Sequence, residues 1–539
     1  MAAAPFARTF IDVVREQAAR APQAPALVCA QGRFTYSDLA ARAARVAGAL
    51  RAAGVQTGDR VGLLLANRVE WIDLCLGAAA VGAVTVPLST WSTRTELEFL
   101  VQDAGLKLLA TQARFGDRDF EADMAWLQHK LGQPSMPPAD HVWLLDTPDR
   151  RYEQRLEAAK PISELPPGEA ATPFSDALVL YTSGSTSAPK AVPLRQHAVL
   201  ENAFNIGERQ GLSSADRVLL SSPLFWAFGG ANALPATFTH GATLVLMEKF
   251  DAKEALATIE REACTSIYTL PAMNSALARH ADYSKARLSS LRTGVTIGSP
   301  EEFLFAVDTL GADELCNIYG ATETCGNCCV TWHHWPLLRR AHCQGPPLPG
   351  QRLRFVDEET GEPVAPGQPG LVEVRGFVTA GYTGASSDQN AKAFTVDGWY
   401  RTGDMGRLNE DGDFAFVGRV SEMIKRAGIN VSPAEVEAVI RRFDGVHDVA
   451  VVGVPDAARG ERIFAFVVPT PGVDFDIAAL LRHCGAEASK YKLPDHVELL
   501  AGMPLTVTGK LQRRELKLRA IDRVAQLAAG DTPARQPSH

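Results

Sequence analysis

The sequence predicts an α/β fold. A large N-terminal domain of stacked, mostly parallel β/α sheets carries a small β subdomain, and a small α+β domain follows it. Three observations predict this. Short apolar runs alternate with apolar residues at helical spacing over residues 9–110, and again from Asp216. Beyond Pro346 glycine and proline punctuate the chain, in Asp357-Glu-Glu-Thr-Gly361, Ala365-Pro-Gly-Gln-Pro-Gly370 and Asn409-Glu-Asp-Gly412, as hairpin turns do. A chain of 539 residues also exceeds what one hydrophobic core holds. The expected boundaries are 1–419, with the β subdomain at about 346–419, and 420–539.

The elements follow in order. Thr9–Ala19 and Tyr36–Gly54 have helical periodicity, and Val61-Gly-Leu-Leu-Leu-Ala66 reads as a buried strand. Trp71–Val81 is a mostly apolar helix and Val84-Thr-Val-Pro-Leu88 a strand. Thr93-Arg-Thr-Glu96 is a capping box for the next helix. Residues 112–175, polar and proline-rich, are expected to be connecting structure plus a loop. Strands are expected at Val218–Ser221, Thr243–Met247, Ser266–Leu270 and Leu315–Ile318, and helices at Ala252–Ala263 and Glu302–Leu310. Ser432-Pro433-Ala-Glu435 offers an N-cap, a proline at the first helical position and a capping glutamate for a helix to Arg442. Strands at Val449–Val454 and Ile463–Val468 and a helix at Ile477–Cys484 complete the small domain, and the polar tail at 528–539 is expected to be disordered.

Composition narrows the class of function. The chain is 46% hydrophobic and 22% charged, with a net charge of −8 and a pI near 5.9, which argues against a general nucleic-acid partner. Any polyanion must meet local basic residues. The N-terminus has no charged segment leading an apolar one, and no uncharged apolar run reaches about 18 residues. Neither a signal peptide nor a membrane span is therefore expected. Nine cysteines without export signals suggest reduced thiols in the cytoplasm. The assembly state is left open, a homodimer included.

One stretch, Tyr181-Thr-Ser-Gly-Ser-Thr-Ser-Ala-Pro-Lys190, has the makings of a phosphate cradle. Gly184 lets the backbone approach an anion, and Thr182, Ser183, Ser185, Thr186 and Ser187 offer hydroxyl donors beside backbone N–H groups. Lys190 adds a point charge. Pro189 and Pro193 forbid a helix behind the loop, so it is expected to join two strands, unlike a Walker loop. A hydroxyl-rich surface turn would have the same composition, so the neighbouring motifs decide.

Tyr181–Lys190 resembles the phosphate-binding loop of the adenylate-forming (AMP-binding) enzymes, and further matches follow in order. Asn317-Ile-Tyr-Gly-Ala-Thr-Glu323 is similar to the family's Tyr-Gly-x-Thr-Glu motif. There the resemblance implies that Tyr319 packs on adenine, Glu323 holds Mg²⁺, and Asn317, Gly320, Ala321 and Thr322 line the nucleotide. Thr182 is read as a second metal-side and catalytic hydroxyl. Gly298-Ser299-Pro300 resembles the turn lining adenine, Tyr400-Arg-Thr-Gly-Asp404 the ribose motif, and Arg419 the arginine on ribose and phosphate. Pro504-Leu-Thr-Val-Thr-Gly-Lys510 resembles the catalytic loop, whose lysine bridges the substrate carboxylate and the α-phosphate. A carboxylate attacking a phosphate brings two anions together, and a cation must offset them. The pattern around Lys510 also resembles a site silenced by a lysine acetyltransferase. A mobile C-terminal domain turning at Ser421 between half-reactions is implied as well. This chain departs from the family pattern at Ser187, Ala191, Ser299 and Ser421.

Ser222-Pro-Leu-Phe-Trp-Ala-Phe-Gly-Gly230 occupies the position of the family's acyl pocket, with Phe225, Trp226, Gly229 and Gly230, and with Gly320, Thr324 and Cys325 opposite. Amino-acid-activating relatives carry aspartate where Trp226 stands. An ammonium would have no counter-ion here, and an indole narrows the pocket. The resemblance thus implies a small or medium apolar acid: cyclic, aromatic, or short- to medium-chain. The acceptor it implies is coenzyme A, with Lys425, Arg426 and Gly428 at the pantetheine tunnel. Three functions stay open: an acid–CoA ligase of the acyl-CoA synthetase branch using ATP and Mg²⁺, an acyl-AMP ligase loading a carrier protein, and an inactive nucleotide-binding homologue. Cys316, Cys325, Cys328, Cys329, His333, His334 and Cys343 cluster in sequence, but their spacing fits no standard zinc finger; soft pocket-lining thiols are favoured.

Overall fold

The computed structural model describes residues 4–131, 135–162, 170–182, 189–384, 387–426, 429–456, 459–488, 490–505 and 511–528. Ser183, Gly184, Ser185, Thr186, Ser187, Gly428, Lys510 and the tail beyond Ala528 lie outside the described residues. Two compact units emerge: Met1–Arg354 with Glu373–Thr402 and Leu408–Ala415, and Phe355–Val372 with Gly403–Arg407 and Phe416–His539.

Two large sheets lie in the first unit, as the alternation of apolar runs and helical spacing predicts. The eight-stranded sheet runs Cys329–Val330, Glu314–Tyr319, Thr293–Thr296, Ser266–Tyr268, Arg217–Leu220, Thr243–Leu246, Pro25–Cys29, Gly32–Thr35. All its inner pairings are parallel, and only the two edge pairings are antiparallel. The six-stranded sheet runs Lys190–Arg195, Asp176–Thr182, Val84–Pro87, Arg60–Leu64, Leu108–Gln112, Val142–Leu145, parallel except for its first pair. Parallel strands buried on both faces read as unbroken apolar runs, which is why Val61–Leu64 and Leu244–Leu246 were legible.

Helix starts obey local chemistry. Thr9, Thr35 and Thr93 each close a capping box with the acidic residue three positions on, Asp12, Asp38 and Glu96. The helix Val69–Ala80 is buried almost all round, so it packs as a core element rather than an amphipathic one. Residues 112–175 correct the expectation of a connecting loop. Phe120–Leu131 and Arg151–Ala158 are helices, and Val142–Leu145 is an edge strand of the six-stranded sheet. Phe120, Met124 and Leu127 are buried at helical spacing, but polar neighbours dilute that signal.

Four strands, Arg352–Val356, Gly370–Arg375, Tyr400–Leu408 and Phe414–Arg419, form a sheet in chain order, matching the glycine- and proline-rich hairpins. In the second unit Ile429–Val431, Ile424–Arg426, Gly460–Pro469 and Val446–Asp456 pair in that order, with His496–Leu499 parallel to Gly460–Pro469. The helices Pro433–Arg441 and Ile477–Glu487 cover one apolar cluster of this sheet, and Arg513–Ala528 another. Ser432 takes the N-cap position but makes no side-chain cap; its Oγ donates to Val417 O at 2.7 Å, and Glu435 pairs with Lys492.

Candidate active site

The hydroxyl-rich loop does join two strands. Asp176–Thr182 and Lys190–Arg195 pair antiparallel, with Lys190 opposite Thr182, so both ends of the loop arrive at one place. Tyr181 Oη donates to Asp103 Oδ2 at 2.7 Å and anchors the first strand there. Beyond the second, Thr383 N donates to Ala191 O at 3.1 Å. This draws in Tyr382, whose ring lies 4.7 Å from Lys190 Nζ. The same phenol donates to Glu323 Oε1 at 2.9 Å. Glu323 stands in the turn Thr322–Thr324 just past the strand Glu314–Tyr319, and is 7% exposed. Thr379 N donates to its carbonyl at 2.8 Å. Burial first, and the Glu323 carboxylate next, push the Tyr382 phenol well above its ordinary range, so it stays protonated and donates.

Lys190, Tyr382 and Glu323 thus form one continuous corner. Thr383 Oγ1, on the same short segment, is buried with no hydrogen-bond partner among the described residues. An ammonium, a hard carboxylate oxygen and an unpartnered hydroxyl suit a polyphosphate with its Mg²⁺. Tyr319 faces Phe414, ring centroids 4.4 Å apart. Gly320 has no room for a side chain: a Cβ would stand 2.3 Å from Gly326 O and 2.4 Å from Asn327 Cα. Ser299, after Gly298, caps the helix starting at Pro300 in a capping box with Glu302, which explains a serine at that position. Asn317 is fully buried, its amide donating to Arg340 O and accepting from Ile318 N, so its side chain serves the strand end. Ala321 and Thr324 close their own turn by reciprocal hydrogen bonds at 3.0 and 2.9 Å.

The other half of the region is apolar. Phe225 and Trp226 follow the strand Arg217–Leu220, and Trp91 follows the strand Val84–Pro87 of the other sheet. Their rings meet edge to face: Trp91–Trp226 at 4.9 Å, Trp91–Phe225 at 5.3 Å and Phe225–Trp226 at 6.2 Å. Both indoles stay partly exposed while Phe225 is buried. Loops at carboxyl ends of parallel strands are where such sheets bind ligands. Asn67 stitches the two sheets here, donating to Ser222 O at 2.9 Å and Met247 O at 3.0 Å, and accepting from Leu224 N at 2.8 Å. Neither Trp91 nor Asn67 stands in a contiguous motif, so no sequence signal marks either of them.

After Trp226 the chain makes a π-helical turn over Ala227–Ala233 before the helix Leu234–Thr239. Gly229 and Gly230 permit it, since a Cβ on either would lie 2.4 Å from the carbonyl oxygen of Pro223 or Leu224. Asn202 Nδ2 donates to Cys325 O and Asn327 O, holding the helix Gln196–Gln210 to the loop that carries Glu323. Cys325 itself is buried in the core with φ +55°. Cys316, Cys328, Cys329 and Cys343 are buried too, and burial raises the thiols of Cys316 and Cys325 to about 12. His333 hydrogen-bonds to Glu314. Among the described residues no group of three or more His, Cys, Asp or Glu side chains is arranged to hold a metal ion.

In the second unit Asp404 and Arg419 come together, Oδ1 and Nε 3.4 Å apart. Arg426 is committed to Asp495 and Leu493 O, whereas Lys425 is exposed beside Glu358. Ser421 lies in a 3₁₀ turn, Val420–Glu422. No helix among the described residues is long and apolar enough to cross a membrane.

Residues 14–383 match the AMP-binding enzyme profile, and residues 435–510 that of the AMP-binding enzyme C-terminal domain. The indoleacetate–CoA ligase of Aromatoleum aromaticum is 33% identical over 495 residues, covering 90% of this chain and 92% of that one. The mitochondrial medium-chain acyl-CoA ligase ACSF2 of Mus musculus is 29% identical over 527 residues, covering 90% and 83%. The crystal structure of ATP-bound MatB from Rhodopseudomonas palustris matches with a TM-score of 0.84 at 26% identity, covering 95% of this chain and 99% of that one.

Proposed function

The chain belongs to the AMP-binding enzyme family and is an AMP-forming acid–CoA ligase, and we propose that its acid is a small or medium apolar one: cyclic, aromatic, or short- to medium-chain. In the first half-reaction an acid oxygen attacks the α-phosphorus of ATP and expels pyrophosphate. In the second the CoA thiol loses its proton, attacks the acyl carbon and expels AMP. The cytoplasm is the proposed compartment.

The observation that carries the acid class is the aromatic wall of Trp91, Phe225 and Trp226. It offers ring edges and no carboxylate, so an acid with an ammonium group finds no counter-ion among these side chains. An indole braced by a second indole also sets a firm limit on pocket length. The names of two relatives, one acting on indoleacetate and one on medium-chain acids, bracket the same range.

Within this reading Lys190 and the loop at 182–187 take the phosphates, Tyr319 with Gly298–Pro300 the adenine, Asp404 and Arg419 the ribose, and Lys425 with Gly428 the CoA. Glu323 and Thr182 would hold Mg²⁺, which supplies neutralising charge on the phosphates when bound. Lys510 is assigned to the two anions that meet in adenylation. The test is AMP formation with and without CoA over a panel of carboxylic acids. CoA-dependent AMP release with aromatic or medium-chain acids supports the reading. Acylation of a purified carrier protein, with no response to CoA, would replace it with the carrier-loading alternative.

A further inference from the structure

Tyr382 belongs to none of the motifs above, yet it touches two of them. Residues 379–383 form one short segment with three separate holds on the phosphate-side corner. Thr379 N donates to Glu323 O, Tyr382 Oη donates to Glu323 Oε1 at 2.9 Å, and Thr383 N donates to Ala191 O beside Lys190. The segment is itself pinned. Tyr382 N donates to Asn390 Oδ1 at 2.9 Å, Asn390 Nδ2 returns a bond to Tyr382 O at 3.2 Å, and the ring packs against Phe394. The ring face then sits 4.7 Å from Lys190 Nζ. One side chain therefore sets a carboxylate with its hydroxyl and an ammonium with its π face.

We propose that Tyr382 is a positioning residue with two separable duties: its hydroxyl orients Glu323 for Mg²⁺, and its ring holds Lys190 for the phosphates of ATP. This rests on the reading of Glu323 and Lys190 given above. A carboxylate fixed through one oxygen loses little further freedom when it ligates a metal. Partners outside the ligand set commonly change metal affinity 10- to 100-fold for that reason. An ammonium over an aromatic face is already placed, with a smaller gain.

The two duties separate by substitution. Isothermal titration of ATP into the full chain, at a series of MgCl₂ concentrations, reads binding without turnover. Tyr382→Phe keeps the ring and loses the donor. It is expected to need about 10-fold more Mg²⁺ for the same ATP affinity, with affinity in the absence of Mg²⁺ unchanged. Tyr382→Leu loses the ring as well and is expected to weaken Mg²⁺-free ATP binding about 3-fold in addition. In a Glu323→Gln background Tyr382→Phe is expected to add nothing. A Mg²⁺ requirement for Tyr382→Phe equal to wild type, or an equal shift in the Glu323→Gln background, overturns the proposal. If wild-type ATP binding responds neither to Mg²⁺ nor to Glu323→Gln, the assignment of Glu323 itself fails and the proposal falls with it. Should Tyr382→Phe not fold, 4-aminophenylalanine in place of Tyr382 keeps both ring and donor. A Mg²⁺ requirement within about 3-fold of wild type then supports the donor role, and a 10-fold rise overturns it.

Discussion

Two neighbouring regions of the first unit are built on opposite plans. The phosphate-side corner takes its two charged groups from short contiguous motifs, Lys190 at a strand start and Glu323 in a one-turn helix, with Tyr382 from outside those motifs placed between them by hydrogen bonds. The aromatic wall uses single side chains from distant segments, Trp91 beyond one sheet and Phe225 and Trp226 beyond the other, meeting edge to face. On the proposed function the first plan places charge where a reaction common to all substrates needs it. On the same proposal the second shapes a surface that one class of substrate must fit. Changes in the corner should therefore cost rate evenly across acids, while changes in the wall should reorder the acids.

The largest expected effect tests the first half of that contrast. Glu323→Gln should lower adenylation by about 10² to 10³, the loss typical of one electrostatic group in such a site. Pyrophosphate release should fall by the same factor for every acid in a panel, and a loss that varies strongly with the acid would break the contrast. Lys510→Ala should cost a similar factor in acyl-AMP formation while sparing thioester formation from supplied acyl-AMP. Equal loss in both half-reactions would remove Lys510 from the adenylation step.

Asn67→Ala should act on stability before selectivity. It strands two carbonyls and one N–H, all buried, between the sheets. Each such group costs about 1–3 kcal/mol, so denaturant unfolding should show several kcal/mol lost together with a shifted acid profile. A normal profile in that variant would mean the wall keeps its shape without the stitch. The smallest effect belongs to the rings. Trp226→Ala should favour longer or bulkier acids by roughly 10-fold in kcat/KM ratio, the scale of a few methylenes in an apolar pocket. Trp91→Ala should shift the same ranking less. The pair should be non-additive by about 0.5–1.5 kcal/mol, the worth of one edge-to-face contact. Strict additivity would show that the two indoles do not act as one wall.

The same contrast explains what the sequence disclosed. Residues 181–190 and 317–323 are contiguous, so their resemblance to the family motifs is legible as short strings, whereas composition alone leaves residues 181–190 open to a plain surface turn; the strands around them are legible as apolar runs. Thr93-Arg-Thr-Glu96 foretold its helix because a capping box is a local device. Trp91 and Asn67 gave no such sign, since a tryptophan after a strand and an asparagine in a loop are ordinary until folding brings Phe225 and Ser222 to them. Tyr382 was hidden for the same reason. Ser432 misled in the other direction: the cap pattern was present, but its hydroxyl found Val417 O instead. Phe120–Leu131 was missed because its buried face is narrow and its flanks are polar.

The wide turn over Ala227–Ala233 bears on how the acid preference could change in descent. A π-turn holds one more residue than the α-helical turn it replaces. Deleting a single residue there would return the run to ordinary helical spacing. It would also rotate whatever precedes the run by about 100° about the helix axis relative to Leu234–Thr239. Phe225 and Trp226 lie immediately before it. One in-frame codon loss would therefore carry both rings off the wall at once, and because Asn232 of the run packs against Gly326, it would also reach the loop that follows Glu323.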